Sequence, residues 1–332
     1  MLLLRLLLLL RRLRVNESRT VPERPLLKPW YRLAQVEDGV LLEHGRSVVA
    51  FGGAAATTFL PALLPLLDGT RTTPEIVDVV GPEVAAAVEQ ALRLLSEHDL
   101  LTDGPRLDVG ARRAVVETLA ATAGPGTTLD ELAQRLASAG IRIVGHGVLA
   151  DPLARLLHLS GVDDVTRGAP ADDPGGLVVV APGPAEQSLY AEWNQRGLRD
   201  NIAWIPIGEY DGRTLSVGPL IVPAEGPCHT CLQLRRESTS GCAHELAQLR
   251  DVPAGSDPRP TVLALAAAVA AEVVVRWVAA GDPSLPGTLF TLESAPLLQV
   301  ESHVVLRVPR CPVCSPAAAA APQAPWHEAM VA

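Results

Sequence analysis

The sequence predicts an α/β protein with two domains, a small module of three strands and three helices followed by a larger α/β domain. The first observation is length, because 332 residues exceed what a single hydrophobic core usually organises. The second is a run of short alternating stretches in residues 29–51, followed by three helical patterns. The third is the alternation of strand and helix patterns in residues 141–207, which is typical of a parallel sheet with right-handed crossovers.

The front module begins with three predicted antiparallel strands. Asp38-Gly39 and Gly45-Arg46 separate them, and such pairs between alternating runs are hairpin signals. A proline in the first turn and a threonine cap mark the helices that follow. The strands are expected at residues 30–36, 40–44 and 47–51, and the helices at residues 54–67, 73–80 (capped by Thr72 or Thr73) and 82–98. We therefore expect a winged-helix-like β3α3 module at residues 25–103.

The rest of the chain divides by pattern into a connector, the larger domain and a tail. The connector, residues 104–139, contains one predicted helix at 128–139, capped by Thr127 or Thr128. The tail, residues 316–332, is rich in Ala and Pro and is expected to be disordered. For the larger domain, residues 140–315, we predict strands at 141–144, 177–181 and 202–207 and helices at 152–159 and 190–197.

Composition and charge restrict the possible partners. The chain is 48% hydrophobic and 20% charged, which suits a globular cytoplasmic protein. Its net charge of −9 provides no overall positive field for nucleic acid or anionic lipid. We therefore expect no nucleic-acid partner.

Two leucine-rich or valine-rich stretches resemble membrane segments but lack the features of one. Residues 1–14 read MLLLRLLLLLRRLR, where Arg5 interrupts the apolar run and no small-residue cleavage site follows. Two explanations stay open for this part of the extension 1–24: a short basic amphipathic segment, and a start codon assigned too early. Residues 262–280 contain Glu272 and Arg276 at the spacing of a helical ion pair, which favours a buried helix packed against a sheet over a membrane span.

Cysteine spacing gives the most specific signal. Four of the five cysteines form two C-x-x-C pairs, Cys228/Cys231 and Cys311/Cys314. Two such pairs complete a closed tetrahedral site of four thiolates, so we expect one structural zinc. The alternative is a redox pair, which a single C-x-x-C opening a helix would fit better than two pairs ending strands or loops. Cys242 has no pair and is expected to be an isolated core or surface thiol.

A glycine-containing turn follows the strand at residues 141–144. Gly145 and Gly147 resemble a loop that lets backbone approach phosphates, but Ala150 replaces the third glycine. No acidic residue stands at the end of a second strand to hold a ribose. The loop is therefore expected to be a vestigial nucleotide loop, and ATP is not expected as a cofactor.

Together these features resemble a known family. The loop at residues 141–150, the segment from Gly218-Pro219 to Cys228-His-Thr-Cys231, the alanine-rich helix ending at Gly281 and the Pro309–Cys314 stretch are similar to ThiF-like proteins of the ubiquitin-activating type. With the front module, residues 25–315 resemble the subgroup that binds leader peptides in thiazole/oxazole-modified microcin (TOMM) and thiopeptide biosynthesis. The resemblance implies a Rossmann-type domain with a zinc site.

The chain also departs from active ThiF-like enzymes. Those enzymes carry an Asp-rich strand end, an Asn and an Arg that handle ATP and magnesium, whereas residues 165–170 here read VTRGAP. Phosphoryl and adenylyl transfer need cations that stabilise spreading negative charge. We therefore expect a component without catalytic activity of its own.

The resemblance implies that a leader peptide adds as a strand beside the third strand of the front module and packs on its third helix. That helix carries one apolar stripe, Val84, Val88, Leu92 and Leu95, which suffices for a core, and a second stripe beside it. The second stripe either forms a shallow groove or is simply more core. The expected peptide-binding residues are Val48, Val49, Ala50, Phe51, Ala87, Ala91 and Leu94.

A winged-helix shape also raises DNA binding, which needs basic residues on the recognition helix. Residues 82–98 carry Glu83, Glu89 and Glu97 against a single Arg93, so phosphates would be repelled. The sequence thus favours the peptide over DNA.

The expected function is to bind the leader of a ribosomally made precursor and present it to a separate ATP-dependent YcaO-type cyclodehydratase, which closes azolines in bacteriocin-like products. A homodimer is compatible with the sequence. The alternatives are a catalytically active ThiF-like adenylating enzyme and a zinc-containing interaction protein of another pathway.

Overall fold

The computed structural model describes residues 20–105, 110–120, 123, 127–168, 176–249, 252 and 258–315. The predictions for residues 1–19 and for the tail 316–332 fall outside the described residues. The chain divides into two compact units, Met1–Leu132 and Ala133–Ala332. Both combine helices with sheets, so the protein is a mixed α/β protein with several sheets.

The first unit is built on a three-stranded antiparallel sheet at the three predicted positions. The strands are β2 (Arg32–Val36), β3 (Gly39–His44) and β4 (Ser47–Gly52), in the order β2-β3-β4. Gly45 adopts a φ of 61° in the two-residue turn between β3 and β4, a conformation that glycine adopts without strain. The sheet therefore has two open edges, and β4 forms one of them.

A second small sheet joins the two ends of this module. β1 (Pro25–Leu27) pairs antiparallel with β5 (Leu101–Asp103), so that Leu26 lies opposite Thr102. The sequence analysis did not predict these strands, because three residues are too few to show an alternating pattern.

The predicted helix at residues 54–67 is wrong as a single element. The chain forms α1 (Ala54–Thr58), α2 (Leu60–Leu63) and a 3₁₀ turn (Leu64–Leu66) instead. Pro61 and Pro65 lack the N–H groups that a continuous helix would require at these positions, so the helix breaks.

The remaining helices of this unit follow their capping signals. In α3 (Thr73–Val80), the backbone N–H of Thr72 donates to Glu75 Oε2 at 2.8 Å, so Thr72 is the cap. A 3₁₀ turn at Pro82–Val84 leads into α4 (Ala85–Glu97). Thr128 accepts from the N–H of Glu131 at 3.2 Å and thereby caps α6 (Leu129–Ser138). The sequence analysis missed α5 (Gly110–Ala120), which buries Val116 and Leu119.

The second unit contains the parallel sheet that the strand–helix alternation predicts. Its order is β7-β6-β8-β9, and all neighbouring pairs are parallel. Strand β8 is buried throughout, as expected for a strand covered on both faces. The strands are β6 (Gly140–Val144), β7 (Asp164–Arg167), β8 (Leu177–Val180) and β9 (Trp204–Pro206), and the helices α7 (Ala150–Leu159) and α8 (Ser188–Asp200) alternate with them.

An antiparallel sheet that was not predicted completes the second unit. It consists of β10 (Thr214–Val217), β11 (Thr288–Glu293) and β12 (Gln299–Val304), in that order. About seventy residues separate β10 from β11 along the chain, so no local hairpin signal connects them. Every residue of β12 is exposed.

In the described part of the chain between β10 and β11 lie three helices: α9 (His229–Thr239), α10 (Ala243–Leu249) and α11 (Pro260–Ala280). By length and composition α11 could cross a membrane, but half of its most apolar window is buried inside the protein. The predicted ion pair within it is wrong, because Arg276 instead pairs with Asp282, which lies just beyond the helix end at Gly281.

Candidate functional site

The four paired cysteines meet in one buried cluster. Their sulfur atoms all lie within 4.8 Å of one another. The Sγ atom of Cys228 lies 3.8 Å from that of Cys231 and 3.7 Å from that of Cys311, and the Sγ atoms of Cys231 and Cys314 are 3.4 Å apart. These separations are far beyond a disulfide bond, so all four are free thiols.

The geometry of this cysteine cluster fits a tetrahedral metal ion. Zinc–sulfur bonds of about 2.3 Å in a tetrahedron place sulfur atoms roughly 3.8 Å apart, close to the observed separations. Cys228, Cys231 and Cys311 are at most 1% exposed, so solvent is excluded from the centre. The N–H of Val308 also points to Cys231 Sγ at 3.4 Å, a contact that supports a thiolate. The cluster is compatible with a structural metal site.

Electrostatics around the cluster also favour a cation. Burial raises the pKa values of Cys228 and Cys231. Burial also opposes ionisation of Cys311, but hydrogen bonds from the backbone N–H groups of Cys314 and Val313 and from the Cys231 and Cys228 side chains together outweigh it and lower its pKa. A bound metal ion would stabilise all four thiolates and offset the cost of burying them.

The expected position of the first pair requires a correction. Cys228 is the N-cap of α9 and Cys231 lies in its first turn, so this pair opens a helix, whereas the sequence analysis placed both pairs at the ends of strands or loops. The redox alternative is nevertheless not favoured, because the second pair lies within contact distance. Cys242 lies apart on the surface and contacts Ser240 Oγ at 3.1 Å.

The glycines of the 145–150 loop are explained by close backbone packing. Gly145 has a φ of 99°, and a Cβ atom there would lie 2.4 Å from the carbonyl oxygen of Ala181. A Cβ on Gly147 would meet the carbonyl oxygens of Pro182 and Ala181 at 2.7 and 2.8 Å. The N–H of Gly147 donates to Ala181 at 2.9 Å. Both glycines are therefore required because the backbone of Ala181 and Pro182, just after β8, packs too closely for a side chain.

The Glu186 carboxylate accepts hydrogen bonds from backbone N–H groups in and beside this loop. Glu186 Oε2 accepts from the backbone N–H groups of His146 at 2.7 Å and Gly183 at 2.8 Å, and Oε1 lies 2.5 Å from His146 Nδ1. Burial raises the pKa of Glu186, but these donors outweigh it and lower the pKa to about 2. The sequence analysis missed Glu186, although a carboxylate shortly after β8 is a signal that could have indicated it.

The Glu186 contacts predict a specific pH dependence of stability. Because the folded-state pKa lies below the ordinary value of 4.5, the carboxylate stabilises the fold above about pH 4.5, and this contribution is lost as the pH falls towards 2. Glu186→Gln should therefore lower the free energy of unfolding by about 1–3 kcal/mol at pH 7. Denaturant titrations between pH 7 and pH 3 should show the difference shrinking, and a difference independent of pH would contradict this role.

A cavity of about 680 Å³ lies beside the carboxyl end of β9, where open parallel sheets usually bind ligands. Its lining includes the guanidinium of Arg236, whose pKa is lowered by desolvation, and Tyr190, whose pKa is raised by burial. Three carboxylates also line it, those of Glu209, Asp211 and Glu237. This mixture provides no positive field for a chain of phosphates. The stretch 165–170 is described up to Gly168. Its Arg167 is not among the residues that line this cavity, and the Arg167 side chain pairs with Asp151.

The structure places the expected peptide-binding residues on one strand edge and one helix face of the first unit. On β4, Val48 and Ala50 are exposed, and Val49 and Phe51 are half-buried. On α4, Val88, Leu92 and Leu95 are buried, whereas Ala87 and Leu94 are exposed and Ala91 is half-buried. In the second stripe, which we call the α4 stripe (Ala87, Ala91 and Leu94), Ala87 and Leu94 are therefore exposed outside the core, whereas Ala91 packs against it.

β4 and α4 pack against the same hydrophobic core of the first unit. Val49, Phe51 and Ala91 pack against one buried cluster, and the Phe51 ring meets the His98 ring at the end of α4 edge to face, with centroids 5.6 Å apart. A strand added beside β4 would continue the sheet over this apolar surface.

The open edge of β4 has unpaired donors at identifiable residues. The N–H of Gly53 donates to Asp38, on the side of β3, and N–H groups alternate between the two edges of a strand. Val49 and Phe51 therefore face β3, whereas Val48 and Ala50 direct their N–H and C=O groups to the open edge. No described strand pairs with that edge.

Comparison with known proteins identifies the fold. The sequence matches no protein-family model and no curated protein. The structure is similar to that of the heterocyclase TruD, with a TM-score of 0.70 and 22% identity over 89% of this chain and 43% of that one. A heterocyclase in complex with substrate and cofactor gives a TM-score of 0.68 and 22% identity, over 88% of this chain and 39% of the other. The chain therefore spans about two fifths of these heterocyclases.

A shorter protein matches over nearly its whole length. E. coli MccB in complex with AMPCPP and MccA gives a TM-score of 0.63 and 16% identity, over 88% of this chain and 99% of MccB. The chain thus has the fold that is found in MccB and in part of the heterocyclase TruD.

Proposed function

We propose that this chain binds the leader of a ribosomally made precursor peptide and presents it to a separate YcaO-type cyclodehydratase. In this proposal the front module binds the leader, and the second unit is a ThiF-like domain with one structural zinc and no adenylating activity. The observation that carries the proposal is the open edge of β4 together with the partly exposed α4 stripe, two features of the same unit. Main-chain hydrogen bonds at such an edge give affinity, and the apolar stripe selects side chains.

The relatives support a peptide partner. MccB is seen with MccA, and a heterocyclase of similar fold is seen with its substrate. We propose that the cyclising activity belongs to a YcaO-type cyclodehydratase outside the matching region, which covers about two fifths of the heterocyclases. That protein would phosphorylate backbone amides of the precursor so that Cys, Ser or Thr side chains can close azoline rings.

The absence of adenylating activity is supported by two features of the second unit. Glu186 holds the N–H of His146, a donor that a bound phosphate would otherwise use at this loop. The cavity beside β9 places three carboxylates around the single guanidinium of Arg236. Both features oppose the binding of a triphosphate, because a carboxylate already occupies the N–H of His146 and the cavity lining carries more carboxylates than guanidinium groups.

Reconstitution tests this proposal directly. The purified chain is combined with ATP, the YcaO-type protein and the short Cys/Ser/Thr-rich precursor encoded beside its gene. We expect the precursor to lose one water per ring, by mass spectrometry, only when all four components are present. We also expect no ATP–pyrophosphate exchange by the chain and precursor alone.

Two results would contradict the proposal. Ring formation at the same rate without this chain would remove its role in presenting the peptide. Robust ATP–pyrophosphate exchange with the precursor alone would establish the alternative, a catalytically active ThiF-like adenylating enzyme.

A further inference from the structure

Strand β12 is an edge strand whose outer side no described strand covers. It forms the last position of the β10-β11-β12 sheet, and no strand or isolated bridge among the described residues pairs with its outer edge. All six of its residues are exposed. Long exposed edges are templates for pairing with another chain, so soluble proteins usually shorten, charge or cover them.

The exposed side chains of this segment alternate in character. Those at even positions from 298 to 306 share one face of the extended chain, and all but Ser302 are apolar. Their exposed fractions are 63% for Leu298, 47% for Val300, 74% for Val304 and 61% for Leu306. We call these four residues with Ser302 the β12 face. An apolar face of this kind on a soluble protein marks an interaction surface.

The backbone of the same residues is available for pairing. The N–H of Val305 donates to Gly287 on the side of β11, at 2.9 Å. Because N–H groups alternate along a strand, Val300, Ser302 and Val304 direct their N–H and C=O groups to the open edge. The residues that present apolar side chains therefore also present the free main-chain groups.

We propose that β12 pairs antiparallel with β12 of a second copy of this chain, with Ser302 on the two-fold axis. The strand is self-complementary in this register: Val300 lies opposite Val304 of the second copy, and Leu298 lies opposite Leu306. Roughly six main-chain hydrogen bonds then join the two three-stranded sheets into a single six-stranded sheet. They are made by Val300, Ser302 and Val304 of both copies.

Complementary polar side chains favour a second copy, rather than an unrelated strand, as the occupant. In the same register Glu301 lies opposite His303 of the second copy, and the two-fold axis creates this pair twice. Within one chain His303 Nε2 already lies 3.5 Å from Glu301 Oε2 and 3.0 Å from Thr291 Oγ1, so both side chains share the polar face. The carboxylate of Glu301 can accept a hydrogen bond from a ring nitrogen of His303 across such a pair, whereas two facing carboxylates would repel each other. An arbitrary peptide strand would not supply this alternation.

Sedimentation equilibrium of the full chain tests the self-association. We expect the wild type to be a dimer and Val304→Glu to be monomeric at the same concentration, because the substitution places two charges in the apolar face. Val79→Glu is the matched control, since Val79 is 61% exposed on α3, and it should leave the dimer intact. A monomeric wild type, or a dimer unaffected by Val304→Glu, would overturn the proposal.

A charge exchange tests the register without altering composition. His303→Glu places glutamates opposite each other twice and should weaken dimerisation about tenfold. The double variant Glu301→His/His303→Glu restores opposite partners and should recover wild-type dimerisation. Failure of the double variant to recover would contradict the register centred on Ser302.

Cross-linking tests the two-fold axis itself. In a Cys242→Ser background, which removes the exposed thiol, Ser302→Cys should form an interchain disulfide on mild oxidation, because facing Cα atoms in a strand pair lie about 5.5 Å apart. Gln299→Cys lies far from its own copy in this register and should not cross-link. Equal cross-linking of both variants, or cross-linking of Gln299→Cys alone, would overturn the assignment.

Discussion

Replacing Cys228 or Cys311 with serine is expected to give insoluble protein or to abolish cooperative unfolding. A structural zinc contributes on the order of 10–16 kcal/mol to folding in zinc-finger peptides, which is comparable to the whole stability of a typical domain. Each variant removes one of four buried sulfur ligands that meet within 4.8 Å. Soluble yield, circular dichroism during heating and metal content by mass spectrometry give the readout, with about one zinc per wild-type chain expected.

Cys242→Ser is the matched control, because Cys242 is an exposed cysteine outside the cluster. This variant should keep the wild-type zinc content and melting temperature. Soluble, folded and metal-free wild-type protein would contradict the zinc assignment, and so would a Cys228→Ser variant with unchanged stability.

Ala50→Pro is expected to reduce leader-peptide affinity at least tenfold while leaving the module folded. The substitution removes an N–H group that faces the open edge of β4, and it does not touch the hydrogen bonds to β3. Val49→Pro is less informative, because its N–H faces β3 and its loss would disrupt the sheet itself. Gln35→Pro is the matched control: by the same alternation, its N–H faces the open edge of β2 on the opposite side of the sheet.

A charge in the α4 stripe should weaken the same interaction through side chains. Ala87→Glu is preferred to Ala91→Glu, because Ala87 is exposed and Ala91 packs on the core. The expected cost is about 1–3 kcal/mol, or roughly a tenfold or greater rise in Kd. Arg93→Ala, on an exposed position of the same helix, should change little. Fluorescence polarisation of a labelled leader peptide measures both, and unchanged binding in folded Ala50→Pro and Ala87→Glu would show that the leader docks elsewhere.

The parts of the fold that were predicted correctly have local causes. The β2-β3-β4 hairpins follow from alternating residues around Asp38-Gly39 and Gly45-Arg46, which are signals a few residues long. Helix α3 follows from Thr72 and Glu75, whose reciprocal contacts need only four residues. The cysteine pairs predict a metal centre because two short-range spacings combine into one site.

The parts of the fold that were missed depend on contacts between residues far apart in sequence, or on prolines that interrupt an otherwise helical pattern. Strand β10 pairs with β11 across a long separation, and β1 pairs with β5 from opposite ends of the module. Pro61 and Pro65 break a helix whose apolar pattern continues through them. Glu186 lies 40 residues from His146 along the chain. The sequence therefore predicts the glycine loop, but not that the Glu186 carboxylate accepts a hydrogen bond from the backbone N–H of His146.

Hydrogen exchange of the chain with and without the leader peptide tests the central claim most directly, because it locates the peptide. The account predicts that binding slows exchange of the amides of Val48 and Ala50 at the open β4 edge and leaves β12 unchanged. The backbone amides of the glycine loop at residues 145–150 should exchange at the same rate with and without the peptide. Saturating leader peptide that leaves the amides of β4 unprotected, or that protects only the second unit, would contradict the proposed site.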